Sequence, residues 1–307
     1  MQPFFGLSLI FLISFAGAVS GVQPMQLQQV DERIYALVGP YGDRTPENLG
    51  NNSTSGVILT DDGVVLIDPG ASYKGAEAIH RMIQRVTDQP VKLVINTGGQ
   101  DHRWLGNDYF KRLGAHIIAS QAAVDDQRER SQDQLIRLDA RIGEEVLAGT
   151  EPLHAEQAFE DELRIEHGGV VFELMMVGPA HTPGDTLVWL PQQRVAFSGD
   201  VVYIGRMVGV IPVSSSANWL QAFDRLAALQ PKVIVPGHGG PVDLAVAKAD
   251  TRDYLAFLRG AVASLMDEGG DITQVGRIDQ SDFSYLHSFE LLKGRNAQQV
   301  FQQMEWE

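Results

Sequence analysis

The chain has 307 residues, 44% of them hydrophobic, which is enough to bury a substantial core without cross-links. It contains no cysteine, which excludes disulfides, thiolate metal ligands, cysteine nucleophiles and lipoprotein acylation, so any metal must sit on His, Asp or Glu. A formal net charge of -15 without a basic stripe argues against nucleic acid or anionic lipid as partner and points to a small molecule.

Residues 1–20 read as a signal peptide: an apolar run from Phe4 to Ala16 is too short to span a bilayer and is followed by small residues. Cleavage after Ala18 or Ser20 would leave residues 21–307 as a periplasmic or secreted single domain, with no stable membrane insertion. The stretch from Val22 to Asn51 is mixed in character. GVILTDDGVVLIDPG then predicts two strands joined by a turn at Asp61 to Gly63. Helical spacing of Ala76, Ile79, Ile83 and Val86 predicts a helix over 73–86, closed by Pro90 before the strand VKLVIN. A short helix over 104–113, a strand AHIIAS and one long helix over 121–147 complete the first half.

The second half changes rhythm. LRIEH, VVFELMMV, TLVWL and RVAFS predict four short strands, and Ser216 can cap a helix through Trp219, Phe223, Leu226 and Leu229. The strand KVIV runs directly into PGHGG, helices fill most of Val242 to Met266, and a last one covers Ala297 to Met304. No repeat or linker divides the chain, so two sheets flanked by helices is the economical architecture, ending in a C-terminal helical extension.

Four segments place His or Asp in a loop directly after a predicted strand: Asp101 and His102, His181, Asp200, and His238. Strand ends are where a rigid scaffold positions reactive groups, and the accompanying Gly and Pro supply tight turns. Imidazole and carboxylate are the ligands a zinc-type cation takes when no thiolate exists. His80, His116, His154, His167 and His287 have no such context and read as packing or surface residues.

VINTGGQDHRWLGN, GPAHTPGD, FSGD and VPGHGG resemble, in order and spacing, the motifs of the metallo-β-lactamase superfamily over about Asn51 to Val242. The resemblance implies an αβ/βα four-layer sandwich of two mixed β-sheets flanked by helices, with a metal centre at one edge. That family's leading motif is His-x-His-x-Asp-His. Here its first two histidines fall on Gly98 and Gln100, while Asp101 and His102 are matched to the Asp-His pair. One metal site would then keep Asp101, His102, Asp200 and His238, and the other only His181 with Asp200, so one zinc-class ion is expected. Asp68 in LIDPG would support the site from behind.

The expected activity is metal-dependent hydrolysis of an ester, thioester or amide bond, lactams included, because a single zinc can lower the pKa of its water to about 7. Asp101 and His181 are the expected catalytic residues, His181 orienting water or acting as general base. Arg103, Trp104, Tyr203 and Arg206 follow the motifs closely enough to border the substrate. Within the family, the run 178–206 and the tail 295–307 look most like exported hydrolases associated with quinoprotein dehydrogenase systems. The alternative is a binding protein that kept the pocket and lost the chemistry, which the replacements at Gly98 and Gln100 favour.

Overall fold

In the computed structural model, which describes residues 25–307, the strands gather into two sheets. The expected signal peptide lies outside the described residues. The first sheet runs β1 (Gln26–Asp31), β2 (Ile34–Val38), β3 (Thr54–Thr60), β4 (Gly63–Ile67), β5 (Val91–Ile95), β6 (His116–Ser120) and β7 (Gln157–Phe159). Strands β1 to β4 pair antiparallel, and β4 to β7 pair parallel. The second sheet comprises β8 (Glu162–His167), β9 (Val170–Met176), β10 (Thr186–Leu190), β11 (Val195–Phe197) and β12 (Val233–Val235), antiparallel except for the parallel β11–β12 pair.

The central strands of both sheets are buried on two faces, which is why they read as unbroken apolar runs, whereas the edge strands β1 and β8 are partly exposed. Along β4, Val65 and Ile67 point between the sheets, where they join Ile58 and Ile118 against Phe172, Val188 and Phe197. Their neighbours Val64 and Leu66 point outward, onto Ala76 and Ile79 of α1 (Tyr73–Ile83) and Phe110 of α2 (Asn107–Arg112). A further pair, α3 (Gln121–Ile142) and α4 (Glu144–Leu147), extends this layer. Helices α5 (Ser216–Ala228), α6 (Leu244–Ala247), α7 (Asp253–Asp267) and α8 (Phe289–Met304) supply the other outer layer, Trp219, Leu258 and Val300 packing with Leu187 and Trp189. The result is the expected four-layer sandwich.

Several elements differ from the sequence expectation. The mixed stretch before Asn51 contains the β1–β2 hairpin; β1 carries only Leu27 and Val30 as apolar residues, packed on opposite sides of the sheet, so no period-two pattern shows. The long helix breaks at Gly143, whose φ of +81° ends α3 before α4 starts. Helix α8 begins eight residues earlier than Ala297, at Phe289, because Asn296 sits on its buried face and disguises the apolar stripe. That amide accepts from Val210 N–H at 2.9 Å and donates to the Val208 carbonyl at 2.8 Å, pinning the helix to the segment after β11. No helix among the described residues is long and apolar enough to cross a membrane.

Candidate metal centre

The loops that leave β5, β9, β11 and β12 meet at one edge of the sandwich. A single 3₁₀ turn, Asp101–Arg103, follows β5; another, Gly199–Val201, follows β11 and carries Asp200; His181 and His238 lie in the loops after β9 and β12. Three of these side chains converge: His102, Asp200 and His238, all buried, present ligand atoms within 4.8 Å of one another. His102 Nε2 lies 3.1 Å from Asp200 Oδ2, and His238 Nε2 lies 3.3 Å from Asp200 Oδ1.

The protonation of His238 tests whether a cation fits. Its Nδ1 sits 2.9 Å from the Asn52 carbonyl, which can only accept, so the ring proton is on Nδ1. Burial lowers His238 well below the ordinary histidine value, more than Asp200 raises it, so the ring is neutral. The bare Nε2 lone pair therefore faces a carboxylate oxygen. Two acceptors opposed in a dry site repel unless a cation lies between them, and two imidazoles with one carboxylate are a donor set that zinc accepts. His102 Nδ1 lies 3.2 Å from Asp101 Oδ1 and also touches the Arg44 guanidinium. Asp101 can only accept and the guanidinium can only donate, so the two favour opposite tautomers of His102, unlike the single partner that fixes His238. For Asp200, burial works to raise the carboxyl pKa, but Arg103 and His102 together hold it well below the usual carboxylate range.

His181 Nδ1 is 3.0 Å from the Gly209 carbonyl, so its Nε2 is bare too; burial, together with the charges of His102 and Arg130, lowers its pKa to about 4 despite Asp200. Asp185 shapes this loop, accepting from Thr182 N–H at 2.8 Å and from its hydroxyl at 2.6 Å. Burial and Asp200 raise Asp185 to about 7. The Tyr203 ring stacks on His238 at 4.5 Å and meets His181 edge-on at 5.9 Å, filling the wall between them. Above the group opens a cavity of about 410 Å³ lined by His102, His181, Tyr203, Arg206 and His238 among others. A roomier cleft of about 600 Å³ beside α7 has no such convergence of imidazoles.

A family profile described as the metallo-beta-lactamase superfamily matches residues 49–238. The chain belongs to the metallo-beta-lactamase superfamily. It is 28% identical over 192 residues to the 2,4-dinitroanisole O-demethylase subunit alpha of Nocardioides sp., covering 60% of this chain and 53% of that one. It is 23% identical over 246 residues to the linear primary-alkylsulfatase of Pseudomonas sp., covering 69% and 46%. With the metallo-beta-lactamase type 2 of Elizabethkingia meningoseptica it shares 23% identity over 185 residues, covering 59% and 66%. The chain thus spans about half the length of the first two relatives. Among solved structures, a metallo-beta-lactamase from Pontibacter korlensis superposes with a TM-score of 0.58 at 21% identity, over 73% of this chain and 95% of that one. A stereoselective inverting sec-alkylsulfatase from Pseudomonas sp. superposes at 0.70 with 18% identity, over 91% and 50%.

Superfamily membership clarifies the register of the leading motif. Laid with its first histidines on Gly98 and Gln100, His-x-His-x-Asp-His puts its Asp on His102 and its last His on Arg103, one residue beyond the Asp101–His102 match expected from sequence. The geometry follows this count. Asp101 is not among the converging ligands; it pairs with Arg44 at 2.5 Å and backs His102 from outside, so the expected four-ligand set becomes three. Arg103 is fully buried behind the centre and clamps Asp200 with Nε at 3.1 Å and Nη2 at 2.7 Å, while Nη1 reaches Asp68 at 2.8 Å. It supports the ligands and does not line the cavity. Trp104 is equally buried, stacking on His154 at 5.1 Å and donating to Gln134, so it borders no substrate. Tyr203 and Arg206 do line the cavity.

At the degenerate positions Gly98 supplies no side chain, and Gln100 Oε1 accepts from Arg130 Nη1 at 3.3 Å. Arg130 is itself held by both carboxylate oxygens of Asp126, so an ion pair stands beside the depleted site. Sequence reasoning missed Arg44, Asn52 and Arg130. Arg44 and Asn52 belong to the loop 39–53, whose density of Gly, Pro and Asn was the one available sign of a shaped segment.

Proposed function

We propose that this chain is a metal-dependent hydrolase acting on an ester, thioester or amide bond of a small molecule, with one zinc-class ion held by His102, Asp200 and His238. The observation that carries the reading is the bare His238 Nε2 opposed to Asp200 Oδ1 in a buried site. The hydrolase-type relatives support it. A bound ion would polarise the scissile carbonyl and supply hydroxide near neutral pH. The chain's own residues do the rest. Asp101 orients His102, the Asn52 carbonyl orients His238, and His181 presents an unprotonated Nε2 into the cavity, fixed by Gly209, where it can orient water or take its proton. The test is elemental analysis of purified protein for zinc, iron and manganese, since two imidazoles and a carboxylate also suit ferrous iron, combined with a panel of acyl and lactam substrates. Metal near one per chain with turnover abolished in His238→Ala is expected; turnover untouched by that change would end the proposal.

A second reading, a binding protein without turnover, is favoured by the missing imidazoles at Gly98 and Gln100. It predicts ligand-induced stabilisation with no product. Export is also proposed, with the mature chain beginning near Val19 or Gly21; intact-mass measurement of extracytoplasmic protein tests it, and retained Met1 in a soluble cytoplasmic species would oppose it.

A further inference from the structure

The cavity over the candidate metal centre is positively lined, although the chain as a whole carries 39 acidic against 24 basic residues. Arginines reach it from four separate parts of the fold: Arg44 from loop 39–53, Arg141 from the end of α3, Arg206 from the segment after β11, and Arg295 from α8. Among the described residues that line it Asp43 is the one carboxylate, and Arg44 is already paired with Asp101, which leaves Arg141, Arg206 and Arg295 as the excess. Arg206 is the most telling. It is largely buried, its guanidinium donates a long hydrogen bond from Nη1 to the Gly42 carbonyl at 3.3 Å, and its Nε is buried with no partner. Arg103, a buried guanidinium of the same site, has its Nε and both Nη groups engaged.

A buried guanidinium left without an anion costs free energy, and a fold tolerates that where a ligand supplies the missing charge. The backbone around Arg206 is held in place by Ile204 N–H on the His238 carbonyl at 2.9 Å, Gly205 N–H on Asp250 at 2.8 Å and Met207 N–H on the His287 carbonyl at 3.0 Å. Arg206 is thus preorganised and tied to the segment that carries a candidate metal ligand. Ile211, Leu291 and Leu292 add apolar surface to the same cavity.

We propose that Arg206 anchors a carboxylate or sulfate oxyanion of the substrate, so that this cavity takes a small organic anion with an apolar chain. The fork of a guanidinium matches either oxyanion, and the apolar surface holds the rest of the molecule. The inference rests on the proposed function only for where the substrate sits; its readout is binding, so it stands or falls separately from turnover.

The test is calorimetric titration of the full-length folded protein with hexanoate, hexyl sulfate and hexanol, repeated after EDTA treatment, on the wild type, Arg206→Met and Arg206→Lys, with thermal unfolding to verify that each variant is folded. One or both anions should bind about ten- to a hundredfold more tightly than the alcohol, the preferred one naming the oxyanion. That preference should survive EDTA, vanish in Arg206→Met and persist in part in Arg206→Lys. Equal binding of alcohol and anions, a preference lost on metal removal, or a preference retained in folded Arg206→Met would each overturn the proposal.

Discussion

Arg103→Met isolates the charge balance beneath the candidate centre. The wild-type guanidinium is fully buried and makes five hydrogen bonds: two to Asp200, one to Asp68, and one each to the Thr54 and Gly237 carbonyls. Methionine of similar length fills most of the space, so the loss is chiefly electrostatic. Two buried carboxylates and two carbonyls lose their donor together. Breaking a buried ion pair from one side costs about 3–5 kcal/mol, and the upper end is expected because both Asp68 and Asp200 are stranded. Urea unfolding at pH 7 in EDTA measures this, with the denaturant slope checked for constancy. Two controls follow from the same reasoning. Adding Asp68→Asn should recover part of the loss by removing one of the stranded charges. Excess zinc should recover part by neutralising Asp200. A deficit under about 1 kcal/mol, or one indifferent to both controls, would refute the view that Arg103 is the counter-charge of this site.

Metal content should be close to one ion per chain, abolished by His102→Ala or His238→Ala; Asp101→Asn should weaken affinity roughly 10- to 100-fold as loss of an orienting partner rather than a ligand, measured by competition with a chelating dye. His181→Ala should leave the ion in place and lower turnover, and a fall in metal content instead would make His181 a ligand. Replacing Gly98 and Gln100 together with histidine should raise the stoichiometry by elemental analysis from about one ion to about two. The cost at Gly98 is crowding, since a Cβ there would lie 2.8 Å from Asp185 Oδ1 and 3.2 Å from Thr182 Oγ1. Asn296→Leu should cost roughly 2–4 kcal/mol by stranding the Val210 N–H and Val208 carbonyl, and limited proteolysis should then release the C-terminal helix first. Burial lowers both His80 and His154 from the ordinary value of 6.5, so below that pH the unfolded chain takes up protons first and stability falls; the decline in urea midpoint should be shallower in His80→Gln.

Strands β3 to β6 and β8 to β12, the two-sheet architecture and the placement of His181, Asp200 and His238 at strand ends were legible in the sequence, whereas β1, β2 and β7 were not. Runs such as VVLI and VVFELMM can only be buried on both faces, and the glycines and prolines beside each reactive residue mark the turns that end those strands. Local polarity hid what the sequence did not show: β1 carries only two apolar residues among glutamines, and a buried Asn296 broke the stripe of α8. Which residue of the Asp101–His102–Arg103 turn faces the centre follows from the spacing of the leading motif, and the tertiary structure supplies the physical reason. Successive residues of a 3₁₀ turn point about 120° apart, so Asp101, His102 and Arg103 cannot share one direction. His102 points in, Asp101 turns to Arg44, and Arg103 passes beneath to Asp200. The positive lining of the cavity, by contrast, was a matter for the tertiary structure. Arg44, Arg141, Arg206 and Arg295 are scattered along the chain within an acidic composition, and only the packing of α8 and loop 39–53 over the strand ends brings their charges to one place.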